Sequence, residues 1–138
     1  MLRFEPLPAP EDTTFLTQED VDYFHEEILE PEQLRGYKCL DDLLGAIGRP
    51  QHALYYEEGC DLVRVAAYYW HGISTSHGYI DGNKRTGFAC ANNFLLMNGV
   101  SFEAPDYSLG PLIERLFVED RFKLETLEDI LRRHCHWL

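Results

Sequence analysis

The chain has 138 residues, 45% hydrophobic and 26% charged, proportions of a folded globular protein rather than a disordered or fibrous one. Twelve Lys and Arg against 24 Asp and Glu give a net charge of −12, which opposes attraction to DNA or anionic membranes. No run approaches the ~18 apolar residues that span a bilayer and no signal-like N-terminus is present, so the expected location is cytoplasmic.

The expected organisation is one domain over residues 1–138, with 1–16 as an extended arm that holds three of the seven prolines. Thr17 followed by Asp20 has the spacing of a helix cap, and Val21, Phe24, Ile28 and Leu29 recur at helical spacing up to Pro31. Leu40, Leu43, Leu44 and Ile47 predict a short second helix, with Asp41 and Asp42 near its start and Gly48-Arg49-Pro50 as its stop. A loop over 49–59 follows. From Asp61 to Ser76 apolar residues surround nearly the whole helical circumference, which predicts a central buried helix. The segment 83–98 predicts its partner, because Gly87, Ala89 and Cys90 permit close approach.

Two amphipathic stretches, 109–118 and 127–138, complete an all-α expectation of about six helices around a central antiparallel pair, with strand-like alternation only in pieces such as Val100–Phe102. Cys39, Cys60, Cys90 and Cys135 form no CxxC pair and are expected to be reduced and mostly buried. His134-Cys135-His136 is expected to be a surface helix end rather than a metal site, since adjacent helical positions point apart.

Reactive groups concentrate between the two central helices, in His77-Gly78-Tyr79-Ile80-Asp81-Gly82-Asn83-Lys84-Arg85-Thr86. The first turn of a helix presents unpaired N–H groups and the positive end of its dipole. Lys84 and Arg85 oppose that dipole, so an anion should offset the conflict, and polyphosphate suits both cations. Asp81 fits such a cradle once a divalent ion such as Mg²⁺ bridges carboxylate and phosphates. His77 can take a proton from an attacking hydroxyl. Singly, each residue has an ordinary structural reading as cap, turn or solvated surface; the ordered combination is what points to chemistry.

These residues resemble the signature of the Fic/Doc family, His-x-Phe-x-Asp-Gly-Asn-(Gly or Lys)-Arg. The similarity extends upstream through residues 43–51, Tyr56-Glu57 and Ala66-Ala67-Tyr68, and downstream through 93–99. The resemblance implies a Fic-type helical fold and ATP with Mg²⁺ as cofactors. His77 would be the base, Asp81 the metal ligand, Gly82 and Asn83 the anion-binding turn, and Arg85 a phosphate contact, with Lys84 and Thr86 also at the phosphates. Lys84 stands where adenylylating Fic enzymes have Gly and the Doc branch has Lys, which implies a Ser/Thr protein kinase with the γ-phosphate facing the acceptor. Residue chemistry by itself leaves phosphoryl and adenylyl transfer tied, and a noncatalytic nucleotide-binding regulator is the rival from another class.

The Doc branch further implies a toxin that halts translation, with elongation factor Tu as target and Arg49 and Gln51 as docking residues. Tyr79 departs from the usual Phe. The family's inhibitory pattern, Ser/Thr-x-x-x-Glu-Gly/Asn, is absent, because Leu54 stands four residues before the Glu58-Gly59 pair. Restraint by a separate antitoxin protein follows from the resemblance.

Overall fold

Helix α1 (Gln18–Ile28) starts at a complete capping box: the Thr17 hydroxyl accepts from Asp20 N–H, and the Asp20 carboxylate accepts from Thr17 N–H. The computed structural model describes residues 5–103 and 109–138. Within them follow α2 (Leu40–Tyr56), α3 (Leu62–Thr75), α4 (Asn83–Met97), β1 (Val100–Phe102), α5 (Leu109–Val118), α6 (Leu124–His134) and β2 (Cys135–Trp137).

The predicted central pair is α3 with α4. Ser74 meets Lys84 and Gly87, Trp70 meets Phe88, and Tyr69 meets Phe94, an order that makes the helices antiparallel. Trp70, Tyr69, Ile73, Phe94 and Leu95 are fully buried and form the centre of the core. The close approach is centred on Gly87: a Cβ there would lie 2.1 Å from Ser74 Oγ, 2.6 Å from the Trp70 carbonyl oxygen and 2.9 Å from Ser74 N. Two of those atoms are backbone and cannot swing aside. Gly87→Ala should therefore cost about 2–3 kcal/mol, at the upper end of core overpacking, and lower Tm by roughly 5–15 °C in a thermal melt.

Three expectations are corrected. The second helix does not stop at Pro50 but runs to Tyr56, because Leu43, Ala46, Pro50 and Ala53 continue one buried stripe that offsets the hydrogen bond lost at the proline. The loop expected over 49–59 shrinks accordingly to a turn near Glu57–Cys60. The last helix starts at Leu124 and ends at His134, and Cys135–Trp137 is a strand instead of a helix end. It pairs antiparallel with β1, Val100 opposite Trp137 and Phe102 opposite Cys135, so the fold is mostly helical with one two-stranded sheet. Of the cysteines only Cys90 is buried; Cys39, Cys60 and Cys135 are half-buried, and burial pushes the Cys60 thiol up to about 11 and that of Cys135 to about 12.

Residues 1–4 of the expected arm lie outside the described residues. The part from 5 to 16 has no regular structure, yet Leu7 and Leu16 are buried. Leu7 N–H donates to Asp61 Oδ2 (3.0 Å) and Leu62 N–H to the Leu7 carbonyl (2.9 Å), which ties this segment to the start of α3. Asp61 also caps α3 through Arg64 N–H (3.0 Å) and takes both Arg132 Nη atoms of α6 at 2.8 Å. Arg132 and Arg64 share Glu128, and Arg64 reaches Glu57 at the end of α2. One half-buried charge network thus joins four segments behind the central pair.

Among the described residues, no helix is long and apolar enough to cross a membrane, and no group of three or more His, Cys, Asp or Glu is placed to hold a metal ion.

Candidate active site

The α3–α4 connection is shaped by its neighbours in space. Ser76 ends α3, its hydroxyl donating to the Ile73 carbonyl (2.8 Å) and accepting from Gly78 N–H (3.2 Å). Gly78 packs so tightly on α2 that a Cβ would lie 2.7 Å from Leu43 Cβ, so its role is close approach rather than flexibility. The Gly78 carbonyl accepts from Lys38 N–H (2.8 Å) and Cys39 N–H (3.2 Å), while Ile80 N–H donates to the Gly36 carbonyl (3.1 Å). Tyr37 and Tyr79 form an antiparallel bridge. The segment before α2 therefore holds the loop like an added strand.

Tyr79 is 2% exposed, and its ring stacks on His25 with centroids 3.6 Å apart and planes 5° from parallel. The Tyr79 hydroxyl donates to Asp22 Oδ1 (2.6 Å), so the residue that departs from the usual Phe has found an inward partner. Burial, and then that carboxylate, push its pKa well above the ordinary tyrosine range. His25 Nε2–H donates to the Asp81 carbonyl (2.7 Å); since a carbonyl can only accept, this ring nitrogen carries the proton. Leu34 N–H donates to Asp81 Oδ2 (2.7 Å). Asp22, His25 and Leu34 lie 47 to 57 residues from their partners in the loop, and no local motif in the sequence marks them.

The turn into α4 depends on Gly82, the N-cap, whose φ of +86° is the left-handed conformation that favours glycine. A Cβ there would also lie 3.1 Å from Leu29 Cδ2. The first intrahelical bond of α4 is Thr86 N–H to the Gly82 carbonyl (2.9 Å), which leaves the N–H groups of Asn83, Lys84 and Arg85 without an acceptor among the described residues. Asn83 clamps the loop from inside: its Oδ1 accepts from Tyr79 N–H (3.0 Å) and its Nδ2 donates to the Tyr79 carbonyl (2.9 Å). Its side chain is thus structural here, while its backbone N–H stays without an acceptor among the described residues.

One cavity of about 540 Å³ is lined by His77, Asp81, Gly82, Asn83, Lys84 and Arg85, so six of the seven residues expected at the phosphates and the reacting hydroxyl share a single surface. Its size is that of a small-molecule site. Thr86 is the exception. It is fully buried, its hydroxyl has no partner among the described residues, and it does not line the cavity, so the structure does not bring it together with the other six.

His77 is exposed at the cavity wall. Arg85 Nη1 pairs with Glu30 (2.7 Å), and Lys84 reaches α5, with Nζ 3.7 Å from Glu114 and 4.2 Å from the Phe117 ring centroid. Both cations are about half exposed and pair with carboxylates that are themselves exposed, contacts worth little in water, so a phosphate could take them over. Arg49 lines a second groove of about 290 Å³ that shares Thr75 and Ser76 with the first; Gln51 is exposed on α2 and lines neither.

The profile of the Fic/DOC family matches residues 15–95. The chain is 43% identical over 91 residues to "Protein kinase doc" of Escherichia phage P1, an alignment covering 63% of this chain and 68% of that protein. It is 37% identical over 73 residues to "Toxin Doc" of Mycolicibacterium smegmatis, covering 52% of this chain and 54% of the relative, about half of that relative's length. The profile covers more than half of the chain and contains the whole cavity-lining loop, and the chain belongs to the Fic/DOC family.

Proposed function

We propose that the chain is a toxin of the Doc kind that transfers the γ-phosphoryl group of ATP to a Ser or Thr hydroxyl of a protein target, elongation factor Tu, in the cytoplasm. A separate antitoxin protein neutralises it. The observation that carries this reading is the placement of His77, Asp81, the free first-turn N–H groups and Arg85 around one cavity. The names of the two relatives, a protein kinase and a toxin, support the same choice.

In this reaction the acceptor hydroxyl gives its proton to a ring nitrogen of His77 as its oxygen bonds to the γ-phosphorus. The bond from that phosphorus to the β–γ bridging oxygen breaks, ADP leaves, and His77 later returns the proton to solvent. The N–H groups of residues 83–85 and the guanidinium of Arg85 hold phosphate oxygens, a fixed arrangement that stabilises charge without reorganising.

Mg²⁺ fits the residues present. Asp81 Oδ2 is occupied by Leu34 N–H, while Oδ1 has no partner among the described residues, and magnesium at nucleotide sites needs only one or two carboxylates besides phosphate. Bound there, the ion would neutralise charge on the phosphates. Asp81→Asn keeps an oxygen for Leu34 but loses the charge. It should raise the Mg²⁺ concentration for half-maximal transfer roughly tenfold or more, equivalent to ~1.4 kcal/mol or more of lost attraction. An unchanged titration would remove Asp81 from the metal site.

Adenylyl transfer is kept as a second reading because Lys84 leans on Glu114 and Phe117 of α5 instead of being committed to the turn. Both are tested by incubating the purified chain with elongation factor Tu, ATP and Mg²⁺ and weighing the target. A phosphate adduct is expected. An AMP adduct would establish the second reading, and no adduct would leave a noncatalytic nucleotide binder.

A further inference from the structure

His77 is the exposed end of the loop, and its ring has no hydrogen-bond partner among the described residues. Its position is therefore inherited from the backbone that follows it. Two residues on, Tyr79 sends its hydroxyl to Oδ1 of Asp22, and the other oxygen of the same carboxylate accepts from the Tyr37 hydroxyl. Tyr37 and Tyr79 are the two members of the bridge that joins the loop to the segment before α2, and their rings stack at 5.6 Å. Gln18 Nε2 donates to the Tyr37 oxygen (3.1 Å), so a second residue of α1 orients this hydroxyl.

We propose that Asp22 is a positioning residue for the transfer reaction, a single carboxylate on α1 that fastens the catalytic loop through Tyr79 and the segment before α2 through Tyr37. The proposal rests on the reading of the site given above. Neutral hydroxyls donating to a carboxylate form stronger bonds than neutral pairs do, and here both residues of one bridge end on the same acceptor. Neither hydroxyl could be replaced by another loop group, because the Tyr79 backbone N–H and carbonyl are already taken by Asn83. His25, one turn along α1, adds the stack on Tyr79 and the bond to the Asp81 carbonyl, so one face of α1 grips the loop on both sides of Ile80. Both tyrosines are held in the protonated, donating form: for Tyr37 the bond to Asp22 raises the pKa, and for Tyr79 burial does so first.

The relevant variants are Tyr79→Phe, which keeps the ring and removes only the hydroxyl, Asp22→Ala, their double, and Asp22→Asn, which keeps one oxygen acceptor. Each of the first two should lower kcat about tenfold, the factor that ~1.4 kcal/mol of lost positioning gives, with KM for ATP unchanged. The double should lose no more than the worse single, and Asp22→Asn should recover most of the activity. Amide hydrogen exchange at Lys38 and Ile80, whose N–H groups bond across the bridge, should quicken in step with the lost kcat.

A merely structural contact would lower Tm and leave kcat at low temperature alone. Wild-type kcat in Tyr79→Phe with unchanged exchange at Ile80 would overturn the proposal, and so would losses that multiply in the double. If the wild-type chain modifies no target, the phosphotransferase reading fails by itself. The exchange rates in the same variants then still decide whether Asp22 fastens the loop.

Discussion

Replacing His77 with alanine is expected to lower transfer by ~10²–10⁴-fold, the span of a lost general base. Stability should stay within about 0.5 kcal/mol of the parent, because the ring is exposed and its removal opens no cavity in the core. The two halves of this expectation must be measured together. A thermal melt establishes that the variant is folded, and a single-turnover assay with ATP and target then reads the chemical step apart from product release. Nucleotide affinity should be almost unchanged, since the first-turn N–H groups and Arg85 remain in place. A folded His77→Ala chain that transfers at the parental rate would take His77 out of the mechanism and leave the loop as a nucleotide cradle only.

The second large effect concerns stability. Asp61 is 3% exposed and makes four bonds: to Leu7 N–H, to Arg64 N–H and to both Nη atoms of Arg132. Asp61→Ala removes the cap of α3 and strands the Arg132 guanidinium and the Leu7 N–H at once. A buried pair broken on one side costs ~3–5 kcal/mol, and the remaining contact of Arg132 with Glu128 places the expected value near the lower end, about 3 kcal/mol. Chemical denaturation of parent and variant checks it, as a shift of the midpoint at constant slope. A shift below about 1 kcal/mol would mean that the pair merely breaks even against its desolvation.

The same carboxyl carries a pH signature. Burial raises its pKa, but the Arg132 bonds, the two backbone N–H groups and the charge of Arg132 outweigh burial and hold it below its ordinary value of 3.8. A depressed folded pKa contributes stability that is complete above the unfolded value and is lost as pH falls from there through the folded one. Acid titration of stability should thus show a loss below about pH 4 in the parent. In Asp61→Ala this component should be missing.

Much of the fold could be read in advance where a local rule and the tertiary packing agreed. Thr17 and Asp20 form the cap their spacing suggested, and α3 is buried all round as its composition required. The prediction failed where packing overrode a local rule. Pro50 is a reliable stop in isolation, but here it lies on the buried stripe of α2. Cys135–Trp137 is too short to announce itself as a strand, and it exists because β1 offers a partner more than thirty residues earlier. The site follows the same division. Its reactive groups are contiguous, so the loop stood out, while Asp22, His25, Glu30 and Leu34 arrive from a distant part of the chain. Thr86 stays apart from the cavity because helical phase at the first turn, which sequence does not fix to one residue, turns it inward.

Gly87 has a consequence for how this scaffold can change its chemistry. It seals α3 against α4 two residues beyond Arg85, and Ser74 Oγ fastens the Lys84 carbonyl (3.1 Å) from the opposite helix, three residues before His77. On the proposed mechanism the base His77, two residues past the end of α3, and the anion turn at the start of α4 are therefore held by the two jaws of a vice that is already tight. Neither jaw can open without parting Gly87 from Ser74 and the Trp70 backbone, so the close approach of the helices limits the gap between them. On the proposed mechanism a descendant of this chain could alter which phosphorus is presented by rotating the donor in the gap, or which acceptor arrives by reshaping the outer wall. It could not accept a bulkier reacting group by spreading the helices, and its catalytic repertoire would diversify through side chains at the rim while the gauge between the jaws stayed fixed.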